Sequence, residues 1–389
     1  MPPTDAAENT AARQTDPEAA DPIRILDADG AFSPTAAAEP YLDLVTQLAD
    51  ADLEQFYRDM VVVRAFDTQA TNLQRQGQLA LWPPSRGQEA AQVGSARAAR
   101  AQDHIFPSYR EHVVCTIRGV DPLDIIRLMR GMTHGGWDPY DPAHGNTHIY
   151  TLVLGSQTLH ATGFGMGLVF DGKTGTGEAG RDEAVIVYYG DGASSQGDVH
   201  EAMVFAASYQ VPQVFFLQNN HWAISVPVST QTRVPLARRG DGYGIPSVRV
   251  DGNDVLASFA VTRRALDEAR GGAGPRAIEA VTYRMGAHTT SDDPTKYRTS
   301  DEESSWARRD PIARLRAYLR ARGASDAFFE EVDAEAADGA ASIRERTIAL
   351  GPIPASAMFD HVYSEPHPVL QREKQWLADY EASFEEGTR

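Results

Sequence analysis

The chain has 389 residues with 36 basic and 54 acidic side chains, which gives a net charge of −18 at pH 7. Its length suits one large α/β domain with extensions, or two domains, and its 42% hydrophobic content is enough for a large core. The lack of a basic stripe argues against a nucleic acid partner. The longest apolar runs, such as residues 184–189, are too short to span a membrane.

The composition of the N-terminal segment argues against a targeting signal. Residues 1–22 contain five acids and one base and lack aromatic residues, unlike a secretory signal or a mitochondrial transit peptide. We expect residues 1–40 to form a disordered or extended tail, residues 41–350 an α/β domain and residues 351–389 a helical extension. Because Cys115 is the only cysteine, intrachain disulfides and Cys-based zinc sites are excluded. We expect a soluble, cytoplasmic protein.

Hydrophobic periodicity predicts three helices in the first half of the chain. Apolar residues recur at helical spacing from near Asp52 to near Gly77. A second helix is expected after Gly87, and residues 156–170 are typical of a glycine-rich buried helix. The segment that follows, residues 171–183, is rich in glycine and acids and is predicted to be a polar loop.

Strands and helices then alternate along the chain. Buried strands are predicted at residues 184–189, 214–217 and 278–283, where apolar residues follow one another. Helix faces between and after them are indicated by Val199, Ala202, Met203, Ala206, Val255, Phe259, Leu266, Leu370, Leu377 and Phe384. This alternation predicts an α/β fold, a doubly wound parallel sheet with helices on both faces.

Two patterns match functional motifs without the context that those motifs need. Residues 167–174 match the phosphate-binding pattern G-x(4)-G-K-[ST], but that motif requires a preceding strand and a helix that begins at the Lys. Here a helix is predicted before it and a glycine-rich acidic loop after it, so we expect a surface loop. His144 and His148 lie four residues apart, but Gly145 and Asn146 between them argue against a helical metal pair.

A stronger pattern follows two of the predicted strands. Gly190-Asp191-Gly192 comes after one strand, and Asn219-Asn220 comes after the next, 26 residues further on. That spacing holds one crossover unit, which returns the chain in the same direction, so both motifs are expected at the carboxyl edge of the sheet. Carboxylate and amide oxygens suit Mg²⁺, which in proteins often binds phosphate oxygens of a ligand as well. Gly190 and Gly192 leave room for a diphosphate.

This pair of motifs resembles that of thiamine-diphosphate enzymes. The chain is further similar to the α subunit of the decarboxylating component of 2-oxo acid dehydrogenase complexes, from about Leu53 to the C-terminal helix. The segments that carry the similarity are residues 72–96, 106–111, 190–202, 218–225, 242–255 and 279–298. The resemblance implies the thiamine-diphosphate-binding fold, with thiamine diphosphate and Mg²⁺ as cofactors.

The resemblance also implies roles for single residues. Asp191, Asn220 and the backbone carbonyl of Trp222 match the metal ligands, and His288 matches the active-site histidine that contacts the cofactor. The implied cofactor-binding residues are Tyr109, Arg110, Leu152, Leu154, Gly190, Asp191, Gly192, Ala193, Asn220 and His288. Tyr109 and Arg110 would bind the diphosphate, and Leu152 and Leu154 would touch the aminopyrimidine.

Some positions depart from the mammalian branched-chain members of the family. Gln218 stands where those relatives have an arginine, which removes one cationic contact to the phosphates. The loop at residues 286–299 is expected to order over the bound cofactor. Leu81 and Trp82 are expected to line the substrate end of the pocket.

In this two-chain family the glutamate that activates the cofactor belongs to the β subunit. The resemblance therefore implies an α₂β₂ heterotetramer, which takes a small 2-oxo acid and passes the acyl group to the lipoyl-lysine of an acyltransferase component. Branched-chain 2-oxo acids of the 3-methyl-2-oxobutanoate type are favoured by segments 282–293 and 249–255, with pyruvate as the alternative. A catalytically silent scaffold subunit is a further alternative, which the intact site residues argue against.

Overall fold

The structure is a computed structural model that describes residues 22–132 and 136–386. The chain divides into two compact units, with the boundary between Arg344 and Glu345. The first unit holds the α/β fold and every site residue that the sequence predicts. The second contains a short 3₁₀ helix and the long C-terminal helix.

A parallel sheet forms the centre of the first unit. Its strands are β1 (His104–Phe106), β2 (Val185–Gly190), β3 (Gln213–Asn219), β4 (Ser247–Asp251) and β5 (Arg276–Val281). Their order in space is β1-β2-β3-β5-β4, and every neighbouring pair is parallel. A hairpin of two-residue strands, Trp222–Ala223 and Val226–Pro227, follows β3. The predicted parallel α/β fold is confirmed.

Helices flank the sheet in the alternation that the sequence predicts. The α-helices are α1 (Leu42–Thr46), α2 (Asp50–Arg75), α3 (Glu89–Ala98), α4 (His112–Ile117), α5 (Pro122–Met129), α6 (Ser156–Phe170), α7 (Gly197–Tyr209), α8 (Val228–Gln231), α9 (Arg238–Asp241), α10 (Val255–Glu268), α11 (Ser300–Ala307), α12 (Pro311–Ala321), α13 (Asp326–Ile348) and α14 (Pro368–Glu386). Short 3₁₀ or π turns lie at Ala36–Tyr41, Pro142–His144, Ala193–Ser195, Ala269–Ala273, Pro294–Lys296 and Ala355–Phe359. None of the helices in the described ranges is long and apolar enough to cross a membrane.

The two faces of the sheet pack against different helices. Side chains alternate along a strand, so Ile186 and Tyr188 of β2 join a core with α2, α3 and α10. Val185 and Val187 face the other way and join a core with α6 and α7. The sheet is therefore covered on both faces, and polar groups can gather only at its edges and ends.

The segment that matches the phosphate-binding pattern is a loop, as predicted. Helix α6 ends at Phe170, and the chain then passes through turns and bends to β2. Lys173 Nζ lies 3.0 Å from Glu183 Oε1, in an ion pair at the surface. His148 stacks on Phe106 with ring centroids 3.8 Å apart, and His144 Nδ1 contacts the carbonyl oxygen of Asp138.

Asp254 connects the N-terminal segment to helix α10. Its side chain is fully buried, and Oδ1 accepts hydrogen bonds from the backbone N–H groups of Leu256 and Ala257 at 3.0 and 3.2 Å. Oδ2 accepts from the N–H groups of Ile25 and Leu26, both at 2.7 Å. One carboxylate thus caps a helix and holds an extended segment about 230 residues away in sequence.

This contact corrects the prediction of an N-terminal tail over residues 1–40. Ile25, Leu26 and Ala38 are fully buried, and Ile23 pairs with Val250 of β4. The α/β unit therefore includes residues 22–40, and the part of the predicted tail at residues 1–21 lies outside the described residues. The sequence suggested a tail because residues 1–40 are rich in alanine, proline and acidic residues and contain few large apolar residues.

The Asp254→Ala substitution is expected to lower the free energy of unfolding by about 3 kcal/mol or more, because four backbone donors lose their acceptor. Urea-induced unfolding of the purified chain measures it. The matched control is Asp27→Ala, since Asp27 Oδ1 accepts from Asp29 N and Ala31 N in an exposed turn; its expected cost is below about 1 kcal/mol. Equal losses in the two variants would contradict the role given to Asp254.

Candidate active site

Strand register brings the two sequence motifs together. Gly190 at the end of β2 lies opposite Gln218 in β3, so Asp191 and Asn220 leave neighbouring parallel strands at the same edge. Both line one pocket. The residues that line it are Gln88, Ser108, Tyr109, Arg110, Glu111, Leu154, Gly190, Asp191, Gly192, Ala193, Gln218, Asn220, Trp222 and His288. The structure thus gathers the predicted site residues around one pocket, with Leu152 as the exception.

Three oxygen-bearing groups that can bind a metal lie where the pocket meets the sheet. The Asp191 carboxylate is 2% exposed and accepts a hydrogen bond from Gln231 Nε2 at 3.0 Å. Burial raises the pKa of Asp191. A cation bound beside this carboxylate would have the opposite effect and favour its charged form. Asn220 Oδ1 accepts from the backbone N–H of Trp222 at 3.2 Å. The Trp222 carbonyl oxygen accepts from Arg284 Nη1 at 3.0 Å and has a second lone pair for a metal.

The two glycines of the first motif have different reasons to be glycine. A Cβ at Gly192 would lie 2.6 Å from the Cβ of Ala223, so packing within the chain requires the glycine. A Cβ at Gly190 would meet no atom nearer than the Gln218 carbonyl oxygen, at 4.0 Å. Packing therefore does not explain Gly190, and its bare backbone leaves space on the pocket side. Ala193 is buried and begins the short turn that leads to α7.

Arg110 brings a fixed positive charge to the pocket. The residue is 5% exposed; Nη1 donates to the Pro84 carbonyl oxygen at 2.6 Å, and Nη2 donates to the His288 carbonyl oxygen at 2.8 Å. The guanidinium carbon lies 5.2 Å from the centre of the Tyr109 ring, a cation–π distance. These contacts hold the guanidinium in place before any ligand binds, which suits recognition of phosphate oxygens.

His288 is held in its neutral form by two arginines. Its Nδ1 lies 3.3 Å from Arg110 Nη2 and 3.4 Å from Arg284 Nη1. Guanidinium groups only donate hydrogen bonds, so Nδ1 is an acceptor and the ring proton is on Nε2. Burial and these two charges lower the pKa of His288 to about 3. At neutral pH, His288 therefore offers an uncharged N–H donor.

The loop after β5 packs against the segment that contains Trp82. Trp82 N donates to Thr290 Oγ1 at 3.1 Å, and Thr290 N donates to the Trp82 carbonyl oxygen at 2.9 Å. Asp292 Oδ2 accepts from His288 N at 2.8 Å, and Arg284 Nη2 donates to the Tyr297 hydroxyl at 2.8 Å. These bonds fix the position of His288. The expected ordering of residues 286–299 on cofactor binding stays a prediction.

Two expectations about apolar residues change. Trp82 is fully buried, stacks on His112 with centroids 4.1 Å apart and donates from Nε1 to Asp67 at 2.9 Å. Neither Trp82 nor the 37% exposed Leu81 is among the residues that line the pocket, so the structure does not confirm the prediction that both line its substrate end. Leu152 is 65% exposed and lies outside the pocket lining, whereas Leu154 belongs to it.

Glu111 and Gln88 line the pocket but are not among the site residues predicted from the sequence. Glu111 is buried; Oε1 accepts from Gln218 Nε2 at 2.6 Å and Oε2 accepts from Ser108 N at 2.7 Å. Burial raises the pKa of Glu111. The amide of Gln218, expected only as a lost phosphate contact, thus holds this acid in place. The other missed residue is Gln88, and both lie inside segments that carry the family resemblance, which is the one signal that could have found them.

Comparison with known proteins settles the family. The family described as "Dehydrogenase E1 component" matches residues 57–347. The chain belongs to this family. This membership confirms the predicted family, fold class and enzyme class. The name also implies that an E1 α-type chain works with a β subunit and with other components of a complex.

Relatives of this E1-family chain carry two different substrate names. The 3-methyl-2-oxobutanoate dehydrogenase subunit alpha of Mycobacterium tuberculosis is 43% identical over 359 residues, which cover 92% of this chain and 93% of the relative. The pyruvate dehydrogenase E1 component subunit alpha of Staphylococcus epidermidis is 39% identical over 303 residues, 77% of each chain. The Staphylococcus aureus protein of the same name is 38% identical over 307 residues, 78% of this chain and 80% of the relative.

The low pKa of His288 predicts a simple pH dependence. Because its pKa is about 3, this residue stays neutral between about pH 5 and 8 and contributes no ionisation to the profile of kcat there. His288→Phe removes the ring donor and is expected to lower kcat at least about tenfold without changing the shape of the profile. Loss of an acidic limb in the variant would show that His288 titrates in this range and would contradict the neutral assignment.

Proposed function

We propose that this chain is the α subunit of a branched-chain 2-oxo acid dehydrogenase of the 3-methyl-2-oxobutanoate type. The enzyme would decarboxylate the 2-oxo acid oxidatively and transfer the acyl group to the lipoyl-lysine of an acyltransferase component. The observation that carries this proposal is the pocket where Asp191, Asn220, Arg110 and His288 meet. The 43% identity to the Mycobacterium tuberculosis subunit over 92% of the chain supports the substrate class.

The pocket residues fit thiamine diphosphate and Mg²⁺. Asp191, Asn220 and the Trp222 carbonyl would hold the metal, and oxygen donors of this kind are what Mg²⁺ prefers. Arg110 and Tyr109 would bind the diphosphate, which the open backbone at Gly190 lets approach. When bound, the cofactor supplies the carbon that attacks the 2-oxo group and accepts the electrons left as CO₂ departs.

The chain's own groups bind and orient rather than transfer protons. Arg110 is held by Pro84 and His288 carbonyls, so it meets anionic oxygens without reorganising. His288 also lines the pocket, and its Nε2–H is a neutral donor. Glu111 accepts hydrogen bonds from Ser108 N and Gln218 Nε2, and its buried carboxylate forms part of the pocket wall.

A second chain would complete the site. Leu152, Val153 and Leu154 are 65%, 74% and 37% exposed, and Leu154 lines the pocket, so exposed apolar surface lies beside it. Exposed apolar surface beside a site is typical of an interface. This supports an α₂β₂ heterotetramer in which the β subunit covers the pocket and provides the glutamate that activates the cofactor.

Pyruvate is the second candidate substrate. The Staphylococcus relatives named for pyruvate are 38–39% identical over more than three quarters of the chain, so the shared motifs fit both activities. A silent scaffold subunit fits less well, because Asp191, Asn220, Arg110 and His288 are all present and meet in one pocket.

The metal assignment predicts that Asp191→Ala weakens thiamine diphosphate binding at least about 100-fold in the presence of Mg²⁺, since the one carboxylate among the proposed ligands is lost. Isothermal titration of the complex co-expressed with its β subunit measures the dissociation constant. Asp171→Ala is the matched control, because Asp171 is exposed at the end of α6. Unchanged cofactor affinity in Asp191→Ala would exclude Asp191 as a ligand.

The substrate assignment is tested by kcat/KM for 3-methyl-2-oxobutanoate and for pyruvate, with the β subunit, thiamine diphosphate and Mg²⁺ present. A pocket gains about 1–3 kcal/mol per methylene, so a branched-chain site should prefer 3-methyl-2-oxobutanoate by about tenfold or more. Preference for pyruvate would move the chain to the second candidate. Activity with neither substrate would favour the scaffold subunit.

A further inference from the structure

Two consecutive hydrogen bonds fix the orientation of the Gln88 side-chain amide, which has no role in the proposed mechanism. The backbone N–H of Trp222 donates to Asn220 Oδ1 at 3.2 Å. A backbone N–H can only donate, so the other end of the Asn220 amide is its NH₂ group, which donates to Gln88 Oε1 at 3.3 Å. The oxygen of Gln88 therefore faces Asn220, and its nitrogen is directed elsewhere.

Gln88 Nε2 is a buried donor without a partner among the described residues. Gln88 is 1% exposed, yet it lines the pocket that contains Asp191 and Asn220. Buried donors in native proteins are nearly always paired, and an unpaired one calls for an explanation such as a missing ligand. The position of this amide in the pocket wall gives that explanation.

The backbone around Gln88 is firmly held. Its N–H donates to the Ser85 carbonyl oxygen at 3.0 Å, and its own carbonyl accepts from Gln92 N at 3.1 Å as α3 begins. The neighbouring Glu89 is buried and bonded to Arg64 Nε and Gly87 N, at 2.7 and 2.8 Å. The free N–H groups of Gln88 are thus pre-organised, and pairing them with a ligand costs little ordering.

We propose that Gln88 is a further cofactor-binding residue: Nε2 donates to a phosphate oxygen of the diphosphate, while Oε1 holds the Asn220 amide. This inference rests on the proposed function. A water bound to Mg²⁺ has its oxygen on the metal and can only donate, so it does not match the Gln88 donor. Anionic phosphate oxygens accept, and the amide of Gln218, where relatives have arginine, already donates to Glu111.

The test compares two buried glutamines, each in contact with one polar side chain. Gln213 is fully buried, and its side-chain amide lies 2.9 Å from Thr162 Oγ1, a hydroxyl that donates to the Thr158 carbonyl oxygen at 2.8 Å. Gln213 begins β3, at the opposite edge of the sheet from the pocket. Gln213→Leu therefore reproduces the loss of a buried amide without touching the site.

Isothermal titration with thiamine diphosphate and with inorganic pyrophosphate, both with Mg²⁺, is carried out on the complex with the β subunit. Gln88→Leu is expected to weaken both ligands by the same factor, at least about tenfold, which is 1.4 kcal/mol. Gln213→Leu is expected to stay within about twofold of the unchanged protein. Gln88→Glu keeps an acceptor for Asn220 but adds a negative charge, so it should bind more weakly than Gln88→Leu, and it serves if the leucine variant does not fold.

Three outcomes would overturn the inference. Equal affinities in Gln88→Leu and Gln213→Leu would leave Gln88 a structural role only. Weaker thiamine diphosphate binding with unchanged pyrophosphate binding would place the contact away from the diphosphate. Retained affinity in Gln88→Glu would exclude a required donor. Failure of the unsubstituted complex to bind thiamine diphosphate would instead refute the proposed function, so the two failures are distinguishable.

Discussion

The parallel pairing of β2 with β3 is the constraint on which the site depends. With Gly190 opposite Gln218, the residues that follow each strand reach the same edge of the sheet within one or two positions. Apolar side chains on both faces of β2 and β3 fix this register, because a shift of one residue would reverse every buried side chain. The core therefore decides the spacing between Asp191 and Asn220.

The charges of the pocket are arranged for an anionic ligand with a cation. Arg110 and Arg284 lie close to each other across His288, and both are buried or nearly so. Burial and the positive charges of these two arginines disfavour a protonated imidazole, so the pKa of His288 is low and its ring is neutral. A diphosphate would bring negative charge beside Arg110, and a divalent cation would bring positive charge beside the buried Asp191, so the pair would satisfy both ends of the pocket.

Long apolar patterns made much of the fold predictable. Helix α6 coincides with the predicted residues 156–170, and β2 and β3 follow uninterrupted apolar runs, while Glu279 alone interrupts the apolar run of β5. β1 was missed because it has three residues, and β4 because Arg249 and Asp251 interrupt its apolar positions. Both strands depend on pairing with a strand that is distant in sequence, β1 with β2 and β4 with β5.

In the site, motif residues at strand ends were predictable, but side-chain direction was not. Trp82 was expected in the pocket, yet its indole is oriented by Asp67 and His112. Gln88 and Glu111 are ordinary polar residues in sequence. Their roles arise from contacts with Asn220 and Gln218, which are 132 and 107 residues away in the chain.

In the proposed site, Asp191 and Asn220 act together on one magnesium diphosphate. A double-mutant cycle on the dissociation constant of thiamine diphosphate, with Asp191→Ala, Asn220→Ala and the double variant in the complex with the β subunit, tests this shared role. Shared ligation predicts a coupling free energy of about 1–3 kcal/mol, with the double variant little worse than the weaker single one. Additive losses would show that the two residues act independently and would exclude shared ligation of one metal.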